Sequence, residues 1–395
     1  MSERKNPFKP GKPVDPEYFG GREKELETFR QYLRYSIEGN PHNLAILGER
    51  GIGKSSLLRK FQQIASDENG CIVVRRELDV SVDSLSSLTL FLLEALKSEG
   101  SEYASRAKKV RGKVTNFFAN YKLGVSVLGH GFSVEKINRS VAIQDYLYKE
   151  LMHIWEGVKE GTGGIVFLLD EAEHLQNIQG SWSFLRSALT RVSEEDAGYM
   201  LVVSGKLTLF RGIKEIFSPV ERFFTPLEVM PMTMSEVREA LEKPLEQSLA
   251  LRIDSKAIES VFRYSGGHPY IVQTFGLYTF EETMKKGVKA IDSKSIVEVL
   301  PRVMTRLSSQ IFRDRFDKTS TLERKVLLSI CDLGETTDNA EFSPQQINLN
   351  GGKYSIRVVL GRLVEKDCLI KRERGRYSLF TPLFSEYVKA RMQEG

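Results

Sequence analysis

The chain is poor in the residues that staple or metallate small proteins. Its three cysteines, Cys71, Cys331 and Cys368, lie far apart and form no C-x-x-C pair. That spacing excludes a disulfide framework or a zinc knuckle and reads as core thiols in a reducing compartment. The five histidines are equally scattered. No apolar run approaches the ~18 residues that a membrane span requires; Ile165–Leu169 is strand-sized. The opening residues, Met1-Ser2-Glu3-Arg4-Lys5, hold no apolar signal core, so the expected setting is cytoplasmic, with no membrane. Neither charge sign dominates: 57 Lys and Arg stand against 52 Asp and Glu, a net +5. That balance mildly favours acidic partners and does not by itself establish nucleic-acid binding. Hydrophobic residues at 41% and charged residues at 28% of 395 positions describe a globular chain long enough for two or three domains.

Against this plain background one motif stands out. Gly48-Glu49-Arg50-Gly51-Ile52-Gly53-Lys54-Ser55 is a complete G-x-x-x-x-G-K-[ST] loop. It follows the apolar run Leu44-Ala45-Ile46-Leu47 and opens into a helix-like stretch, Ser55–Ile64. In that context glycines let backbone N–H groups turn inward around phosphate oxygens, and the helix N-terminus adds a favourable dipole. Lys54 is expected to reach the β- and γ-phosphates, and Ser55 to ligate Mg²⁺. Residues Gly48 to Ser56, with Ser56 in the first helical turn, form the expected nucleotide contact.

A second segment completes the chemistry. Gly163-Gly164-Ile165-Val166-Phe167-Leu168-Leu169 is continuously apolar and ends in Asp170-Glu171, the pattern of a strand buried on both faces of a parallel sheet. Asp170 is the candidate Mg²⁺ partner, and Glu171 the candidate base that polarises the attacking water. Another reading is a plain helix N-terminus, where carboxylates are also favourable. Cys71–Glu77 supplies a strand between the two motifs, Tyr199–Val203 a further one ending at Ser204-Gly205, and Thr225–Val229 a last one. Ser204 is either a γ-phosphate or water contact at a strand tip or a simple turn serine.

With these motifs the chain resembles the AAA+/STAND superfamily, in the branch of archaeal ATPases and origin-recognition initiators. Asp15-Pro16-Glu17-Tyr18-Phe19-Gly20-Gly21-Arg22-Glu23-Lys24-Glu25-Leu26 is similar to that family's F-x-G-R-x-x-E-L box. The resemblance implies that Phe19, Gly20 and Arg22 fold over adenine. Ser265-Gly266-Gly267-His268-Pro269-Tyr270 resembles the G-x-P signature of the lid, which implies that Pro269 faces the nucleotide and leaves the second sensor position unassigned. Arg222, in Glu221-Arg222-Phe223-Phe224, sits where the family places an arginine finger acting on a neighbouring subunit. A surface ion pair is the other reading of Arg222, and Arg211 is a competing finger.

The rest is legible only in layout. Ser105–Lys113 is basic, and Tyr121–Val134 alternates around a glycine-rich turn, as a β-hairpin does. With Phe117, Phe118 and Tyr121 between them, this insert reads either as a phosphate-tracking surface or as a solvated helix and a hairpin packed on the core. From Thr233 to about Phe316 the pattern is helical, with Pro244, Pro269 and Pro301 read as punctuation. Helices at Thr321–Leu333, Ser343–Asn348 and about Tyr354–Lys366, then two strands within Cys368–Phe380, follow the winged-helix order. In a DNA-binding version Arg357 and Arg362 lie on the recognition helix, Lys371, Arg372, Arg374 and Arg376 on the wing, and Lys353 at the helix start. The 13 basic and 10 acidic residues of 318–395 make a weaker basic face than a dedicated DNA reader shows.

The expected architecture is α/β: a P-loop NTPase core with a five-stranded parallel sheet of 51432 type over 1–232, carrying an insert at about 104–140. A helical lid over 233–317 and a winged helix over 318–395 follow. The expected function is a slow, Mg²⁺-dependent ATPase switch whose tail binds double-stranded DNA and which assembles as a homo-oligomer. The alternative is a signalling or defence ATPase whose tail binds protein and whose output is oligomerisation.

Overall fold

The computed structural model describes residues 5–106, 112–123, 136–209, 220–249, 251–333, 341–347 and 355–394. The chain divides into two compact units. One comprises Glu23–Gly48 and Lys54–Val229; the other comprises Met1–Arg22, Glu49–Gly53 and Met230–Gly395.

The first unit opens with helix α1 (Glu23–Ile37) and strand β1 (Asn43–Leu47), followed by α2 (Lys54–Gln63) and β2 (Ile72–Glu77). Strands β3 (Ile165–Asp170), β4 (Tyr199–Gly205) and β5 (Phe224–Glu228) complete one sheet in the order β2-β3-β4-β1-β5, the expected 51432 arrangement. Every neighbouring pair is parallel, which the intervening helices make necessary, since parallel strands need long crossovers. Strands β1 and β4 are buried along their whole length, and β3 up to Asp170; that is why they read as unbroken apolar runs. The one polar residue in β1, Asn43, is buried and accepts the Leu201 N–H at 2.8 Å. Register then sets the site. Leu47 lies opposite Gly205, Leu169 opposite Val203 and Glu77 opposite Asp170. The loop after β1, the end of β3 and the end of β4 therefore share the carboxyl edge, where open α/β sheets bind ligands.

Helices α3 (Leu85–Arg106), α4 (Gly112–Asn120) and α5 (Lys136–Val158) lie between β2 and β3. Two of the three aromatics of this insert are interior and the third is partly buried, which argues against a stacking platform for bases. Phe118 and Tyr121 are buried and Phe117 packs against the same core. A Cβ on Gly100 would stand 2.1 Å from the Phe118 ring, and one on Gly157 2.2 Å from Phe117; glycine in α3 and α5 is what admits the rings. Residues 124–135, where the hairpin was expected, and the basic run at 107–111 lie outside the described residues. Helix α6 (Ser181–Ser193) connects β3 to β4, and the short α7 (Val220–Phe223) leads into β5.

The second unit is mainly helical: α8 (Met234–Leu249), α9 (Ser255–Ser265), α10 (Pro269–Lys286) and α11 (Ser293–Leu307), with a short parallel pair of strands, β6 (Arg252–Ile253) and β7 (Ala290–Ile291). Asp254 caps α9 and Asp292 caps α11, each carboxylate accepting an N–H three residues on. Of the three prolines read as helix boundaries only Pro269 is one; Pro244 and Pro301 lie inside α8 and α11. Burial of Leu241, Leu245, Val299 and Val303 around them outweighs a local penalty of about 3 kcal/mol per proline. After α12 (Arg313–Asp317) and α13 (Thr321–Asp332), the expected helix at 343–348 is a single 3₁₀ turn, Pro344–Gln346. It stays short because Phe342 before it is bridged to Tyr377, while Ile347 after it is extended and buried. Helix α14 (Ile356–Glu365) and the antiparallel pair β8 (Leu369–Lys371) and β9 (Tyr377–Leu379) complete the winged-helix order. A closing helix, α15 (Leu383–Glu394), was not foreseen.

The N-terminal segment belongs to this helical unit by packing. Asn6 donates to the Leu277 carbonyl at 3.1 Å and accepts the Phe8 N–H at 3.0 Å. The turn delivers Phe8, 1% exposed, into the core of this unit, its ring so close to α10 that a Cβ on Gly276 would stand 2.4 Å from it. Phe8→Ala is expected to destabilise this unit by about 3 kcal/mol. Urea unfolding checks it, and a change of less than ~0.5 kcal/mol, the scale of a neutral surface substitution, would show that the segment is not anchored.

Candidate functional site

In the sheet unit the candidate residues converge on one carboxylate. Asp170, the last residue of β3, accepts the Ser55 hydroxyl at 2.6 Å on one oxygen and the Ser204 hydroxyl on the other. Ser55 comes from the first turn of α2 and Ser204 from the penultimate position of β4, so a single side chain joins three elements. Lys54 folds back to donate to the Gly48 carbonyl at 3.0 Å, and the Gly48 N–H reaches the Gly205 carbonyl at 3.1 Å. Glu171 follows Asp170 with φ 53° and ψ 45°, in the left-handed region, an uncommon conformation for a non-glycine residue. Its side chain reaches solvent, yet the atoms of the sheet edge crowd it. That desolvation raises its pKa above the ordinary 4.5, the Glu173 and Asp170 charges add to the rise, and Lys54 opposes it.

The apex of the glycine loop, Glu49–Gly53, packs within the helical unit. Gly51 has φ 82° and Gly53 φ 98°, conformations that other residues hold only under strain. A Cβ on Gly51 would also meet the His268 ring at 2.9 Å. His268 is wholly buried, and Pro269 after it begins α10. Arg22, buried and at φ 68°, donates to the Ile52 carbonyl at 3.5 Å. The box around it is tied to α8: Gly21 N–H donates to Glu239, Arg22 N–H to Glu236, each at 2.9 Å, and Lys243 to the Phe19 carbonyl at 2.7 Å. Burial works against the Glu236 charge, but the N–H groups of Thr233 and Arg22 hold its pKa below the ordinary 4.5.

A strand, a glycine loop and a helix in this order, with an aspartate and a glutamate ending a buried neighbour strand, match a known domain. Residues 18–203 match the family described as AAA ATPase domain. That match spans just under half of the chain. Comparisons with solved structures show a similar fold over nearly the whole chain. The chain is similar to a Walker-type ATPase of Pyrococcus abyssi (16% identity, 94% of this chain and 96% of that one, TM-score 0.59). It is also similar to the ORC2 protein of Aeropyrum pernix, solved as ADPNP–ADP complexes (14% identity, 96% and 98% covered, TM-score 0.58). In sequence it is similar to an uncharacterised HTH-type transcriptional regulator of Methanocaldococcus jannaschii, 23% identical over 350 residues, covering 83% of this chain and 79% of the relative.

Outside the AAA ATPase core the remaining candidates separate into exposed and engaged side chains. Arg222 is exposed at the end of α7 and forms no ion pair among the described residues. Arg357 and Arg362 on α14, and Lys371 and Arg374 on the hairpin, are exposed. Arg376 donates to the Glu341 carbonyl at 2.9 Å and pairs with its carboxylate at 3.4 Å. Arg372 is half-buried and donates to the Ser378 hydroxyl at 3.1 Å; burial lowers its pKa. Lys353 and Arg211 lie outside the described residues. Two residues at the loop apex escaped the sequence reading. His268 was visible within the glycine signature but had no role; Arg315, described below, carries no motif.

The desolvated Glu171 carboxylate has a consequence for stability. A pKa raised in the folded state means that folding opposes ionisation. Glu171→Gln is therefore expected to raise the melting temperature of the ligand-free protein. The gain is smallest below pH 4.5, where the wild-type carboxyl is already protonated, and grows as pH rises through the elevated folded pKa. A melting series against pH checks it, and a gain largest at acid pH would refute the sign.

Proposed function

We propose that this protein is a Mg²⁺-dependent ATPase switch whose tail binds double-stranded DNA. The observation that carries the ATPase part is the convergence of Ser55, Ser204 and Glu171 on Asp170, at the sheet edge where Lys54 begins α2. Hydroxyl and carboxylate oxygens gathered at a sheet edge suit Mg²⁺, which prefers hard oxygen ligands and keeps much of its hydration. Bound there through Ser55 and Asp170, Mg²⁺ would neutralise charge between the β- and γ-phosphates. Lys54, held on the Gly48 carbonyl in the free protein, would exchange that acceptor for a phosphate oxygen. The loop N–H groups donate to the phosphates. Glu171 orients a water and receives its proton, a task that its raised pKa favours. Ser204 keeps Asp170 aligned and offers its hydroxyl near the γ-phosphate. Arg222, exposed and without an ion pair among the described residues, is the candidate finger for a neighbouring subunit, which makes the complete site a property of a homo-oligomer.

The DNA part is supported by the exposed Arg357, Arg362, Lys371 and Arg374 on α14 and the hairpin, and by the relative named as an HTH-type regulator. A second reading, a tail that binds protein and an output of self-assembly, draws support from Arg372 and Arg376, which are spent on Ser378 and Glu341. Lys54→Ala is expected to abolish ATP binding, and Glu171→Gln to bind ATP without turning it over. Fluorescent ATP titration and phosphate release check both, and tight ATP binding by Lys54→Ala would overturn the site. Turnover stimulated by duplex DNA, with stimulation that fades between two salt concentrations and weakens in Arg374→Ala, is expected from DNA binding. Turnover indifferent to DNA would favour the protein-binding reading.

A further inference from the structure

Arg315 is a buried cation that the proposed chemistry does not use. It sits on α12, is 5% exposed, and its guanidinium lies 3.7 Å from the centre of the Phe380 ring. Among the described residues it hydrogen-bonds no carboxylate. One end donates to the Arg50 carbonyl at 3.4 Å, in the apex of the glycine loop, and the other to the Asp367 carbonyl. Asp367 follows the C-terminus of α14 at φ 56°, a left-handed residue whose turn presents that carbonyl. The Cys368 thiol adds a contact to the Arg315 carbonyl at 3.8 Å. Phe380, one residue beyond β9, is fully buried and stands edge-on to the His268 ring, centroids 5.9 Å apart. The loop apex thus rests on a socket made by His268, Arg315 and Phe380, and Phe380 and Asp367 both belong to the tail. Burial lowers the Arg315 pKa, partly offset by the charges of Asp367 and Glu49. Glu49, itself a buried loop residue, also lies in the field of Arg372 on the hairpin.

We infer that Arg315 is a positioning residue for the glycine loop, through which the nucleotide state of the loop and the seating of the α14–β8 corner control each other. The physical reason is the poor alternative. A buried guanidinium that loses one of its two carbonyl acceptors keeps its desolvation cost and gains nothing. Moving the Arg50 carbonyl therefore strains the Asp367 contact, and moving the corner strains the loop. Reciprocity follows: a ligand of the tail that shifts the corner changes nucleotide affinity by the factor by which nucleotide changes the affinity of that ligand. The inference rests on reading residues 48–55 as the nucleotide loop.

The test uses the full chain, a fluorescent ATP analogue, and hydrogen exchange of the amides of residues 366–368, which close the end of α14. Arg315→Lys keeps the charge but lacks the fork that reaches two carbonyls. It is expected to weaken analogue binding about tenfold. In wild type, saturation with the analogue should change exchange at 366–368, and in Arg315→Lys that response should vanish. Arg324→Lys is the control: Arg324 stacks on Phe316 and bonds Thr319, and should lose stability without losing the response. Should Arg315→Lys fail to fold, Phe380→Leu, which removes the ring beneath the guanidinium, is expected to blunt the same response. Unchanged affinity with an intact response in Arg315→Lys, or wild type that binds the analogue with no change at 366–368, would overturn the coupling. Wild type that does not bind the analogue would overturn the nucleotide reading and the coupling with it.

Discussion

The sheet edge depends on the Asp170 carboxylate. Its two oxygens take hydroxyls from Ser55 and Ser204, and its own position is set by β3 in register with β2 and β4. Three chain segments far apart in sequence meet there because parallel strands all end at the same edge. Without that carboxylate two hydroxyls would face a partly buried edge with no acceptor, and the start of α2 would lose its tie to the sheet. The rest of the candidate chemistry is built outward from this point.

The neighbouring carboxylate illustrates how the same edge separates two acidic side chains by environment. Asp170 is engaged on both oxygens, whereas Glu171 is turned away by its left-handed backbone into the field of Asp170 and Glu173. Two adjacent acids thereby acquire different environments, which suit the different tasks proposed for them: organising oxygen ligands for Asp170 and accepting a proton for Glu171. The backbone strain at Glu171 is a small stability cost that places this carboxylate where the proposed chemistry needs it.

The helical unit adds a constraint on the loop apex. Gly51 leaves no room for a side chain beside His268, and buried Arg22 and Arg315 each donate to a carbonyl of the loop. Buried cations spent on main-chain carbonyls hold backbone where apolar packing alone would let it slide. The Phe19–Arg22 box is secured in a similar manner, by the carboxylates of Glu236 and Glu239.

Much of this was legible in the chain. Unbroken apolar runs mark β1, β3 and β4 because central parallel strands are buried on both faces, and the glycine loop with the Asp170-Glu171 pair announces the AAA ATPase core through local spacing alone. Features that depend on distant partners were not legible. Phe117, Phe118 and Tyr121 could not be told apart from surface aromatics in the sequence; glycines in α5 and α3 receive the two phenylalanine rings, and Tyr121 is buried beside them. Pro244 and Pro301 read as breaks until buried neighbours held their helices together. Arg372 and Arg376 read as free wing cations until Ser378 and Glu341 engaged them. By itself the sequence determined the loop, the order of strands and helices, and the identity of the acidic pair, since these rest on residues adjacent along the chain. Only the tertiary structure decided which charges are exposed, which are spent, and that Arg315 joins the loop to the tail, because hydrogen bonding and burial are settled by how segments pack, whether the partners stand 6 positions apart, as Arg372 and Ser378 do, or 265, as Arg315 and Arg50 do.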